Sequence, residues 1–428
     1  MFPSSIAPPR RVALAGDRRA ARWLRLFGPG YLVAVGYMDP GNWATNLAGG
    51  SAWGYDLLGV VLLSGLAGMF LQILAARLGI VSGMNLAQAT RALSPRGTVV
   101  AQWLACEVAI CAADLAEVLG AAIALNLLFG LPLSWGVVVT VLDVMLILGL
   151  QRAGARRLEA FVVGLIAVVV VSLGYAVAAA QPDWPAVARG FLPTAAVVTT
   201  PGMLFVAIGI VGATVMPHNL YLHSALVQSG PAAQDPARRN EAIAAATADS
   251  VSALVLAIVV NAAIMILAGA AFHARGSGEV AELQDAHRLL GALTVGGVAG
   301  TCFALALLAS AQGSSIAATL AGQVVMEGFL RIRLPALARR LLTRGVAVLP
   351  ALAVTLAYGE GGIARLLIAS QVILSLQLPF AVVPLIRYTS SRQVMGAHAS
   401  PKAVTAVAAA LAATVVALNA TLLWRLVA

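Results

Sequence analysis

An aspartate beside a proline and a glycine, Asp39-Pro40-Gly41-Asn42, interrupts the first apolar stretch of this chain. A carboxylate at membrane depth is costly, and a Pro-Gly pair cannot continue a regular helix. Capping the helix that starts at Asn42 would explain the carboxylate in a soluble protein, but within a membrane a solvated cap elsewhere would cost less. The break frees main-chain carbonyls before it, those of Gly36 and Tyr37 included. Carbonyls next to a carboxylate make a hard-oxygen cation site, to which Asn42 adds an amide oxygen. A second interruption, Met216-Pro217-His218-Asn219, lies about halfway along the chain and aligns with the first, Asp39 with Met216, Pro40 with Pro217 and Asn42 with Asn219. Two broken helices at corresponding places in two halves point to the binding site of a secondary transporter.

Met216 sharpens the chemistry. In a span, a methionine ordinarily fills core. Opposite Asp39 and beside a proline, its thioether is a soft ligand from which Mg²⁺ and Ca²⁺ gain nothing, so it biases an oxygen site toward Mn²⁺, Fe²⁺, Co²⁺ or Cd²⁺. The carbonyl of Ala213, in the last turn before the second break, is a further donor. Gln371, in the tenth apolar stretch, offers an amide oxygen either to the site or to helix packing. His218 follows the second break and suits proton handling or gating better than ligation. His218 and His223 are five apart, do not share a helix face and do not resemble a zinc pair.

Three acids lie along the third apolar stretch. Asp114 and Glu117 are spaced i, i+3 on one face, and Glu107 is about two turns earlier, nearly in line. They can pair with arginines at a helix end or relay protons; the relay is the preferred reading, with Arg344, at the start of the ninth span, as a partner. Asp143 and Asp249 are also intramembrane acids; neither belongs to a recognisable constellation, and both are assigned to helix packing or a polar cavity.

The elements that must hold these residues follow from composition. The 428 residues are 61% hydrophobic and 10% charged, with a mean hydropathy of +0.92. A soluble domain carries about 25% charged residues, so this chain lacks the polar surface for water and reads as a polytopic membrane protein. Apolar runs of about 20 residues give about eleven spans, near 28–51, 56–81, 99–128, 132–150, 157–180, 200–228, 241–272, 296–329, 340–357, 361–386 and 403–427. A short amphipathic stretch near 279–293 reads as an external loop helix. Of the 27 lysines and arginines, all but Arg77, Arg189, Arg275, Arg288, Arg365 and Arg425 fall in one alternating set of loops. That asymmetry is the positive-inside pattern; it places the N-terminus in the cytoplasm and the C-terminus outside, and accounts for the net charge of +10 without nucleic acid.

Residues 1–25 form a basic cytoplasmic tail without the apolar core of a signal peptide. The first five spans, 26–180, and the next five, 200–387, each open with a broken helix. Five is odd, so the second set enters the membrane from the opposite side, an inverted repeat of LeuT type. The eleventh span, 401–428, is extra. Cys106, Cys111 and Cys302 are isolated and give neither a zinc motif nor a disulfide framework.

Gly36-Tyr37-Met38-Asp39-Pro40-Gly41-Asn42 and Gly212-Ala213-Thr214-Val215-Met216-Pro217-His218-Asn219 resemble the two signatures of the Nramp family of divalent-metal transporters. Asp114-Leu115-Ala116-Glu117 resembles that family's third-helix acidic motif, and the run from Ala321 to Phe329 is similar to its eighth span. The resemblance extends from about residue 26 to 427. It implies a LeuT-like all-α fold of broken helices 1 and 6 plus one extra helix, and import of Mn²⁺ or Fe²⁺ coupled to protons by alternating access. It implies metal ligation by Asp39, Asn42 and Met216, with carbonyls of Gly36 and Ala213 and with Gln371, and a proton route through Asp39, His218, Glu117, Asp114 and Arg344, with Glu107 more distantly. A related Mg²⁺-transporting branch lacks the methionine that Met216 supplies here. The short loops and the lack of a twelfth span fit a bacterial member in the plasma membrane. The expected partners are the metal ion, protons and lipid, with no cofactor, no nucleic acid and no obligate protein partner. A LeuT-type carrier of amino acids or amines is disfavoured because Asp39 would repel a substrate carboxylate. A membrane metalloprotease lacks its H-E-x-x-H motif, and a channel does not need paired broken helices.

Overall fold

The computed structural model describes residues 28–142, 145–146, 149–150, 154–228, 236–276, 282–332, 334–358 and 362–427. The basic tail 1–25 and Asp143 lie outside them. The described residues fold into helices and contain no strand. The first apolar stretch is two helices, α1 (Pro29–Ala34) and α2 (Pro40–Trp53), joined by a 3₁₀ turn over Val35–Met38. Next come α3 (Leu58–Ser82), a short α4 (Leu86–Leu93), α5 (Arg96–Phe129), α6 (Leu133–Val139) and α7 (Ala155–Ala180). The halfway stretch is again divided, into α8 (Met203–Thr214) and α9 (Pro217–Gln228). The remainder is α10 (Arg239–Ala271), α11 (Leu283–Gly291), α12 (Val298–Leu330), α13 (Ala336–Tyr358), α14 (Ile363–Ser390) and α15 (Lys402–Val427).

Nine of the described helices, counting α8–α9 as one, are long and apolar enough to cross a membrane. The α1–α2 pair and α6 correspond to the other expected spans, part of the 132–150 stretch falling outside the described residues. Apart from α6, each helix that corresponds to an expected span begins and ends within a few residues of it. The amphipathic stretch near 279–293 is α11, which buries Leu283, Ala286 and Leu290. α4 was not expected from periodicity, although its start carries a reciprocal capping box: the Asn85 side chain takes the Gln88 amide at 2.9 Å and the Gln88 side chain takes the Asn85 amide at 3.0 Å.

The broken helices stand at the centre. α3, α5, α10, α12 and α14 pack around them, and α15 lies outside against α14. Leu63, Val108, Val171, Val259, Leu356 and Phe380 point outward and are exposed, as side chains meeting lipid tails should be. The inner contacts rely on small residues that let backbones approach. A side-chain carbon at Gly120 would collide with the ring of Pro40, and one at Gly212 would collide with the Gln371 carbonyl. Gly120 therefore seats α5 directly on the first break, and Gly212 seats α14 on the turn before the second.

The eleventh span is bound to this core by side chains. Asn419 on α15 accepts from the Ser375 hydroxyl at 3.0 Å and donates to the Ser375 carbonyl at 2.8 Å. Ser375 lies one turn beyond Gln371 on α14, so the extra helix is fastened to the helix that carries a candidate site residue.

Candidate functional site

Asp39 has an extended backbone (φ −61°, ψ 163°) between the 3₁₀ turn and α2. Its Oδ1 accepts from the Asn42 main-chain amide at 3.0 Å and from Asn42 Nδ2 at 2.7 Å. The carboxylate thus caps α2, yet it is 1% exposed, far from the solvated setting in which caps are common. Oδ2 faces Gln371 Nε2 at 3.5 Å, and that nitrogen also donates to Ser370 Oγ at 3.0 Å. Asn42 Nδ2 spans the two breaks by donating to the Ala213 carbonyl at 2.9 Å.

One expectation is corrected here. The Tyr37 carbonyl is not free, because Asn261 Nδ2 on α10 donates to it at 2.7 Å. The Met38 carbonyl is likewise occupied, by Trp43 Nε1 at 3.2 Å and by the Ser310 hydroxyl. The Gly36 carbonyl receives the Asp39 amide in a longer, 3.3 Å bond. A helix break exposes several carbonyls, but neighbouring helices claim most of them.

The second break repeats one contact of the first. Asn42 sends its amide nitrogen to the side chain three residues before it; so does Asn219, whose Nδ2 lies 3.5 Å from Met216 Sδ. Met216 is buried among Ala109, Ala112 and Ala113 of α5 and Leu374 of α14. In the sequence, Asn219 stands out only as the alignment partner of Asn42. It lies against the first break: a side-chain carbon at Gly36 would come within 2.7 Å of its Nδ2. Among the described residues, Asn42 Oδ1, Asn219 Oδ1 and Gln371 Oε1 are buried without a hydrogen-bond partner. An orphaned buried acceptor costs about 1–3 kcal/mol, and these three, on the two breaks and on α14, are open to a cation once Asn42 and Gln371, which now turn their nitrogens to Asp39, rotate their amides. No three His, Cys, Asp or Glu side chains gather into a metal cluster among the described residues, and the two side chains bonded to Asp39, Asn42 and Gln371, are neutral amides.

His218 is buried at the start of α9, and its Nδ1 has no partner among the described residues. His223, one turn further along, has a different environment. Its Nδ1 lies 2.9 Å from Gln72 Oε1, and Gln72 Nε2 donates to the Tyr37 hydroxyl at 2.7 Å. With Asn261 on the Tyr37 carbonyl and Asn46 Nδ2 donating to Asn261 Oδ1 at 3.0 Å, a buried polar chain joins α9, α3, the first break, α10 and α2. Sequence reading missed this chain; isolated Gln and Asn residues within apolar helices were its only trace.

The acids of α5 are held by arginines of α13. Arg344 Nη1 is 2.9 Å from Asp114 and 3.8 Å from Glu117, and Arg344 is 1% exposed. Arg339 Nη2 bridges both oxygens of Glu107 at 3.1 Å, and Trp103 Nε1 adds a bond of 3.0 Å. Arg339 and Arg344 therefore belong to the buried bundle and not to a loop, because α13 begins at Ala336, earlier than expected. Asp249, which had no assigned partner, accepts from the Gly28 amide at 3.0 Å and the Gly30 amide at 2.7 Å. Glu117 is one turn from Gly120, where α5 meets Pro40; Glu107 is about 15 Å further along the helix axis.

The family model described as natural resistance-associated macrophage protein-like, Nramp, matches residues 30–425. The divalent metal cation transporter MntH of Xanthomonas campestris pv. campestris is 56% identical over 406 residues, covering 94% of this chain and 91% of that protein. MntH of Bradyrhizobium diazoefficiens is 55% identical over 402 residues, covering 94% and 89%. The crystal structure of the Eremococcus coleocola manganese transporter in complex with an aromatic bis-isothiourea substituted compound superposes with a TM-score of 0.86 at 40% identity, over 96% of this chain and 88% of that one.

Proposed function

The chain belongs to the Nramp family, and from that premise and the geometry of the two breaks we propose that it imports divalent transition-metal ions, Mn²⁺ foremost with Fe²⁺ and Cd²⁺ as further substrates, by proton-coupled alternating access. One observation carries the reading. Asp39 is bonded to Asn42 and Gln371, Asn42 reaches across to the Ala213 carbonyl of the second break, Asn219 lies on the Met216 thioether, and Asn42, Asn219 and Gln371 each keep a buried oxygen without a partner among the described residues. A half-turn of the Asn42 or Gln371 amide exchanges its nitrogen for its oxygen at the cation. The carbonyls of Gly36 and Ala213 complete the proposed ligand set. The donors suit a borderline cation better than Mg²⁺, because the thioether occupies a place where Mg²⁺ would keep water.

The proposed proton route starts at Asp39 and His218 and follows α5 past Glu117 and Asp114, with Arg344 between them, toward Glu107 and Arg339. A cleft lined by Ile110, Thr319, Gln323, Arg339 and Thr343 adjoins its far end. The repeats proposed for 26–180 and 200–387 place both breaks at mid-membrane, with the amino terminus cytoplasmic, the carboxyl terminus external and the bacterial plasma membrane as host. Metal ion, protons and lipid are the proposed partners.

Reconstituted protein should take up Mn²⁺ in the presence of excess Mg²⁺, faster at lower external pH. Met216→Ala should lose the resistance to Mg²⁺. Glu117→Gln should slow or uncouple proton flux while sparing much of the metal binding. Absence of Mn²⁺ flux, or equal inhibition by Mg²⁺ in wild type and Met216→Ala, overturns the assigned substrate. Joint loss of proton flux and metal binding in folded Glu117→Gln overturns the separate proton route.

A further inference from the structure

The segment made of α1 and the 3₁₀ turn that follows it is gripped at both ends by α10. At one end Asn261 holds the Tyr37 carbonyl at 2.7 Å. At the other, Asp249 receives the Gly28 and Gly30 amides, one on each carboxylate oxygen. These amides belong to the first turn of α1, which has no side-chain cap of its own at Gly28. The sequence around them leaves space for nothing else. A side-chain carbon at Gly28 would come within 2.5 Å of Asp249 Oδ2, and one at Gly30 within 2.9 Å of the same atom and 3.0 Å of the Asp249 carbonyl. Pro29 between them lacks an N–H, so the two glycines supply both donors.

α1 is only six residues long, and no helical hydrogen bond continues it into α2 across Asp39. Its position is set by what it leans on. We propose that Asp249 is a latch: a positioning residue whose carboxylate holds α1 against α10 in the present conformation and must release it before α1 can take another pose. This rests on the carrier reading, in which the halves of a broken helix move about the site. Two amides on one ionised carboxylate form a strong but fully separable contact, since the donors lie on one element and the acceptor on the other. A carboxylate is suited to the role because both oxygens accept. An asparagine would turn an NH₂ group toward one of the two N–H donors.

The test is a distance measurement on the full chain in lipid nanodiscs without added metal. Cys106, Cys111 and Cys302 are replaced by alanine, and spin labels are placed at Pro29→Cys on α1 and Val255→Cys on the exposed face of α10. A control pair, Leu305→Cys on α12 and Ile373→Cys on α14, reports packing elsewhere. Asp249→Ala should reduce the population at the latched distance about tenfold relative to more distant poses. Asp249→Asn, of the same size, should give much of that effect. Gly30→Ala, which pushes on the carboxylate from the other side, should reproduce the shift, and combining it with Asp249→Ala should add little. The control pair should stay unchanged throughout. An unchanged α1–α10 distribution in Asp249→Ala overturns the latch. Fully additive effects of Gly30→Ala and Asp249→Ala also overturn it. A shift of both label pairs together overturns it too, by showing that Asp249 holds the whole bundle and not α1. None of these readings depends on which ion is carried, so failure of the substrate assignment would leave them interpretable.

Discussion

Replacing Arg344 by leucine tests how the acids of α5 are kept. The guanidinium is 2.9 Å from Asp114 and 3.8 Å from Glu117, with hardly any exposure on the three side chains. At an effective dielectric near 20 the gross attractions are about 6 and about 4 kcal/mol, so the Asp114 pair dominates. Removing one member of a buried pair costs about 3–5 kcal/mol, because the remaining charge is stranded. Arg344→Leu should therefore lower stability by roughly that amount, read by thermal unfolding of the purified protein in one fixed detergent. The informative step is rescue. Adding Asp114→Asn should recover more than half of the loss, and adding Glu117→Gln distinctly less, following the two distances. The reasoning fails if Arg344→Leu costs less than about 1 kcal/mol, the range of an exposed pair. It fails equally if Glu117→Gln rescues as well as Asp114→Asn, since proximity would then not set the energy.

Tyr37→Phe removes the acceptor of Gln72 Nε2 without opening a cavity; an unfolding measurement should show a loss of about 1–3 kcal/mol, the cost of a stranded buried donor. Asn419→Ala breaks both bonds to Ser375 and should lower stability by about 1–3 kcal/mol, with limited proteolysis showing earlier release of α15. Gly120→Val thrusts methyl groups at the Pro40 ring; overpacking should cost about 1–3 kcal/mol, and metal uptake should fall further than the melting curve implies, because the displaced element carries Asp39.

What the sequence revealed and what it withheld divides along range. The breaks at Pro40 and Pro217 were legible because proline and glycine act on their own backbone. The alignment of Asp39 with Met216 and the face shared by Asp114 and Glu117 were legible because they are local or periodic. The pairing of Arg344 with Asp114 was anticipated, but its burial was not, since an arginine near a span boundary reads first as a loop charge. The occupied Tyr37 carbonyl, the contact of Asp249 with Gly28 and Gly30 and the chain from His223 through Gln72 to Tyr37 were invisible. Each joins residues far apart in the chain, and nothing in a single Asn, Gln or Asp states which helix will lie opposite. α4 was legible and overlooked, its capping box standing plainly at Asn85 and Gln88.

A pocket with one carboxylate among neutral amides and a thioether has a consequence for voltage. On the proposed function, the empty site carries a charge of about −1 when Asp39 is ionised, and a bound dication makes it about +1. With the cell interior negative, the field draws the loaded site inward and drives the empty one back outward. Each leg can draw up to about 2.3 kcal/mol per 100 mV if its charge crosses the whole field. A second carboxylate in place of Met216 would leave the loaded site neutral and confine that electrical work to the return of the empty carrier.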